Sequence, residues 1–120
     1  MRSIRFIAAG FALATVAATA ACGGTDTKAA CDAIQAEMKN VTSTTMQQIS
    51  DPQAMAKTYT DGAAKIREEG KKGGGDVESA ANDIATAMEN LGKHVAAGST
   101  QQPDTAPLTN AGVKLQKACT

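Results

Sequence analysis

The stretch DVESAANDIATAMENLGKHVAAG, residues 76–98, carries Val77, Ala81, Ile84, Met88, Leu91 and Val95 at steps of four, three, four, three and four. A helix of 3.6 residues per turn returns such positions to one side, so the spacing predicts an amphipathic α-helix with a single apolar stripe. Asp76 stands where an N-cap is needed, and Gly98 where a left-handed residue would end the helix.

Working outward, the pattern repeats with less regularity. From about Thr27 to Ile49, the residues Cys31, Ile34, Met38, Val41 and Thr45 recur at three- and four-residue steps, with Met46 and Ile49 along the edge of the stripe. Ser50-Asp51-Pro52 then supplies a capping side chain and a proline whose missing N–H is harmless in a first turn, so a second helix starts there. Met55, Tyr59, Gly62 with Ala63, and Ile66 mark its buried side. Gly70-Lys71-Lys72-Gly73-Gly74-Gly75 has little side chain to hold a helix, which predicts a mobile loop before Asp76. The same run does not fit a phosphate cradle, which needs a preceding strand and a G-K-[ST] order. Beyond Gly98, a connection through Pro103 and Asp104 leads to a last stripe of Leu108, Ala111 with Gly112, Leu115 and Cys119, with Pro107 in its first turn.

No segment shows the alternation of a strand. Four helices with short to medium connections predict an all-α fold, a small up-down four-helix bundle over residues 27–120. Sixteen large apolar or aromatic side chains, from Ile34 to Leu115, serve that whole domain. Alanine fills the remaining facing positions, so the helices are expected to pack closely.

The first 21 residues are of another kind. Arg2 and Arg5 precede an uncharged run from Phe6 through Ala21, which ends in small residues. A basic start, a short apolar middle and small residues before a cut are the parts of a bacterial export signal. Arg2 and Arg5 are not adjacent, which favours the general route for unfolded chains over the twin-arginine route. Ala18-Thr19-Ala20-Ala21-Cys22 resembles a lipobox, in which a cysteine receives diacylglycerol before the leader is removed. That resemblance implies residues 1–21 as a lipoprotein signal peptide, lipidation at Cys22 and a lipid-anchored linker over 22–26. Ala18-Thr19-Ala20 also satisfies the A-x-A pattern of an ordinary leader, which would free a protein with no lipid. The whole chain resembles the small cell-envelope lipoproteins of actinobacteria, which implies an extracytoplasmic place on the bacterial cell membrane and lends no activity.

The chain holds three cysteines, Cys22, Cys31 and Cys119. With Cys22 occupied by lipid, Cys31 and Cys119 remain as a pair in an oxidising compartment, and a disulfide between them is expected. An up-down bundle brings the start of its first helix and the end of its fourth to one end, which is where this pair falls. The alternatives are two buried thiols acting as small hydrophobes, or a metal site, for which the wide spacing and a single distant His94 are unsuited.

Loss of the leader leaves ten basic against twelve acidic residues, and Tyr59 as the remaining aromatic. Neither balance suits nucleic acid or carbohydrate, whose recognition leans on basic surfaces or stacked rings. His94 lies beside Val95, at the margin of its stripe, and reads as a solvated flank residue. Asp83, Glu89, Glu68 and Glu69 likewise read as solvated faces, with no carboxylate pair set apart for catalysis. Met38, Met46, Met55 and Met88 fall at or beside core spacings, which makes them packing residues before copper ligands. No catalytic residue, metal or cofactor is therefore implied. The leading expectation is a helical interaction module for an envelope protein. The alternative is a carrier of a small apolar or lipid-like ligand, which a cavity lined by large side chains would favour.

Overall fold

A computed structural model describes residues 25–120; Cys22 and the leader lie outside the described residues. Four helices follow one another: α1 (Thr25–Gln47), α2 (Pro52–Gly73), α3 (Gly75–Ala96) and α4 (Ala106–Ala118). They form an all-α, up-down four-helix bundle. Helix α1 begins two residues before the expected boundary, so Thr25 and Asp26 belong to the helix and not to a linker.

The helix ends show why each element starts and stops. Asp51 accepts a hydrogen bond from the Ala54 backbone N–H at 3.0 Å, and Pro52 opens the first turn of α2. Such a cap satisfies a donor that the helix itself leaves orphaned. Asp76 and Glu78 stand in the first turn of α3 and Lys93 in its last, each matching the sign of the nearer helix end. Gly98 adopts φ +64°, the left-handed conformation its position calls for.

The glycine-rich run is a correction to the expected loop. Helix α2 continues to Gly73 and α3 begins at Gly75, so the connection narrows to Gly74 at φ +65° and Gly75 at φ +49°. Asp76 accordingly sits inside the first turn, and Gly74 takes the cap position. Tertiary packing explains the difference, because Gly70 and Gly73 lie where helices approach most closely. A Cβ on Gly70 would come within 2.4 Å of the Ala81 Cβ, and one on Gly73 within 2.7 Å of Val77 Cγ1 and 2.9 Å of Ala30 Cβ. The missing side chains let α2 and α3 meet, and burial outweighs the backbone entropy that glycine costs a helix.

Helices α2 and α3 form the tightest pair, with α1 laid on α2 and α4 on α3. The core runs through Cys31, Ile34, Val41, Ala63, Ile66, Val77, Ala81, Ile84, Ala85, Met88, Ala111 and Leu115. Met46 and Ile49, expected along the edge of the α1 stripe, are 68% and 73% exposed. Helix α1 ends at Gln47, and the turn that follows carries Ile49 away from the core.

The expected cysteine pair meets. The sulfurs of Cys31 and Cys119 are 1.99 Å apart and their Cα atoms 6.0 Å apart, linking residues 88 positions distant in the chain. This bridge joins the first half of α1 to the end of α4, two helices that otherwise pack little on each other.

Candidate functional site

Helices α1 and α4 are tied at the disulfide end, and toward the other end a cavity of about 240 Å³ opens between them. Each element contributes to it. Met38, Val41, Thr42 and Thr45 come from the second half of α1, Tyr59 from α2, and Met88 and Leu91 from α3. Pro103 and Thr105 of the last connection and Leu108 from the first turn of α4 complete the wall. Val41, Met88 and Leu91 are buried, whereas Met38, Tyr59 and Leu108 are half-buried and pack against the core.

The lining is mostly apolar, and its hydroxyls are those of Thr42, Thr45, Tyr59 and Thr105. The Thr42 hydroxyl donates to the Met38 carbonyl at 2.9 Å, and that of the buried Thr45 donates to the Thr42 carbonyl at 3.0 Å. Both threonines spend their donors on their own helix, leaving methyl groups and lone pairs toward the space. Two methionines face it, and their flexible thioether chains can reshape a cavity to fit its occupant. Helix α4, at 13 residues, is the shortest of the four.

A second, polar cleft of about 340 Å³ lies between α3 and α4. Lys114 on its rim donates to Ser79 at 2.8 Å and to Asp83 at 2.7 Å, so its charge is already matched by α3. Elsewhere Arg67 of α2 joins Glu89 of α3 in a paired contact and also donates to Thr86 at 3.2 Å. The Arg67 hydrogen bond holds the Glu89 carboxyl below its ordinary value, against the upward push of partial burial. Asp83 and Glu89, read from sequence as solvated faces, are thus acidic halves of interhelical ion pairs. Glu69 pairs with Lys72 within α2.

The remaining residues singled out in the sequence are dispersed. His94 Nε2 lies 2.6 Å from the carbonyl oxygen of Gln101, tying the end of α3 to the following connection. Of the methionines, Met38 and Met88 share the cavity, Met55 is half-buried on α2, and Met46 points to solvent. The cavity as a site escaped sequence reading, although most of its residues were assigned to apolar stripes. Its signal was methionine among small residues on α1 and α3, opposite a short α4. Pro103 and Thr105 carried no signal, because a wall contributed by a connection has no periodicity.

Among the described residues no helix is long and apolar enough to cross a membrane. Comparisons with protein-family models, with curated proteins and with solved structures find no match to this chain.

Proposed function

We propose that this chain is a membrane-anchored extracytoplasmic lipoprotein that holds a small apolar or lipid-like group between its helices. The observation that carries the reading is the cavity bounded by Met38, Val41, Tyr59, Met88, Leu91 and Leu108. Concave, mostly apolar spaces between helices of a bundle are the usual seats of small ligands. At about 240 Å³ it is somewhat smaller than the space a whole drug-sized molecule needs, so it suits part of a ligand, such as a chain end.

The alternative, a module that docks an envelope protein, draws less support. Among the described residues the large apolar side chains left exposed are Met46, Ile49 and Val113. Met46 sits in the last turn of α1, Ile49 in the α1–α2 turn and Val113 on α4, which falls short of the contiguous apolar patch that marks a docking face. Attachment through Cys22 rests on the lipobox-like residues before it. A lipid there would stand three residues before α1, and the cavity lies roughly 25 Å along α1 from Thr25 at 1.5 Å per residue.

The test is native mass measurement, with solvent extraction, of the protein recovered from its membrane. A small molecule at near-stoichiometric amount is the expected result. A clean apo mass would instead favour the protein-docking module.

A further inference from the structure

The cavity shares part of its wall with a neighbouring groove. Met38 and Thr42 belong both to its lining and to an open groove along α1 that passes Lys39, Ser43, Met46 and Gln47. Exposed Met46 extends the apolar surface outward along that groove. Lys39 stands exposed beside it and enters no ion pair among the described residues, in contrast to Lys28, Lys57, Lys65, Lys72 and Lys114. An apolar space separated by a flexible methionine from a groove that carries an unmatched cation is complementary to a molecule with an aliphatic end and an anionic end.

We propose that the cavity takes the tail of a single-chain anionic amphiphile, a fatty acid, whose chain crosses Met38 and whose carboxylate meets Lys39. The assignment rests on the ligand-binding reading above and narrows it. The volume divides into roughly eight groups of about 30 Å³, the share of one water in the liquid and close to that of a methylene. The cavity therefore accepts the end of one chain, with the rest lying in the groove, and has no room for the second chain of a bilayer phospholipid. Thr42 and Thr45 donate within α1, so neither offers its hydroxyl hydrogen to a polar group in the site, and a carboxylate buried among Val41, Met88 and Leu91 would lose its hydration. This directs the charged end outward, to Lys39.

The experiment uses the full chain in its own membrane fraction. A fatty acid carrying a diazirine near its tail end is photolysed beside the matching fatty alcohol, and labelled peptides are mapped by mass spectrometry. Label is expected on the peptides holding Met38, Met88 and Leu108, with the acid favoured over the alcohol about fivefold, as suits one exposed ion pair. Lys39→Gln should bring acid and alcohol to parity, and Leu108→Trp should plug the cavity and abolish label from both. Thr42→Trp, at an exposed position, plugs it from the other side if Leu108→Trp disturbs folding. Equal labelling by acid and alcohol in wild type and Lys39→Gln alike overturns the anionic assignment and leaves the apolar cavity standing. Label that avoids these peptides, or survives both plugs, overturns the ligand-binding reading itself.

Discussion

Gly70 lies where α2 runs against α3, and the atom that a new Cβ would meet at 2.4 Å is the Cβ of Ala81, fixed to its own backbone. No rotamer can relieve that approach, so Gly70→Ala must part the helices. It should destabilise the bundle by about 1 to 3 kcal/mol, the range for overpacking a close interface. Gly112 on α4 has nothing within 4 Å of its missing Cβ, and Gly112→Ala should stabilise by roughly 0.5 to 1 kcal/mol through the helix term alone. Paired thermal melts check both signs at once; a Gly70→Ala protein as stable as wild type would mean that the α2–α3 approach is loose. Glu89 offers a pH test. Its pKa is lowered from 4.5 chiefly by the Arg67 hydrogen bond, so the pair stabilises the fold above pH 4.5, and that stabilisation is lost as pH falls through the lowered folded value. About a third of each side chain is open to solvent, so screening limits the effect to no more than about 1 kcal/mol. Unfolding free energy should therefore fall less between pH 7 and pH 3 in Glu89→Gln than in wild type. Neither the glycine contacts nor the Arg67 pairing was legible in the sequence, since a spacing within one helix carries no information about the partner across the interface.

At the scale of elements, α4 depends most on a single covalent link. Ala111 and Leu115 are its fully buried residues, and it packs on α3 with little help from α1. The Cys31–Cys119 bridge closes a separation of 88 residues, worth roughly 4 to 5 kcal/mol in the chain-entropy account. At several degrees per kcal/mol for a domain of this size, reduction should lower the melting temperature by well over ten degrees. Hydrogen exchange in reductant should show α4 losing protection before the α2–α3 pair does. A melt unchanged by reductant would remove the bridge from the account of stability. The existence of all four helices was legible, because each carries an apolar stripe at helical period with a proline, an aspartate or a glycine at an end. The junction at Gly70 to Gly75 was not, since local propensity speaks for a loop there and close packing against Ala81, Val77 and Ala30 overrides it.

The whole molecule joins two ends with separate tasks. The disulfide and the start of α1 share one end, while the cavity and its groove lie toward the other. Intact mass of the protein from its membrane fraction, beside Cys22→Ala, tests the anchor: the expected mass starts at Cys22 with diacylglycerol added, and the variant loses the lipid. A mass starting at Ala21 without lipid would instead indicate a released protein with a third thiol. The sequence by itself determined the helical class and the four-element order, because periodicity and capping residues are local properties; three cysteines allow three pairings, and the contact of Cys31 with Cys119 is decided by the packed helices. Only the tertiary structure decided which stripe residues meet a neighbour and which, like Met46, are left outside. It also decided that Met38, Tyr59, Met88 and Leu108, far apart along the chain, enclose a common space. A cavity is the difference between the volume the helices enclose and the volume their side chains fill, and that difference exists only once the four helices are packed together.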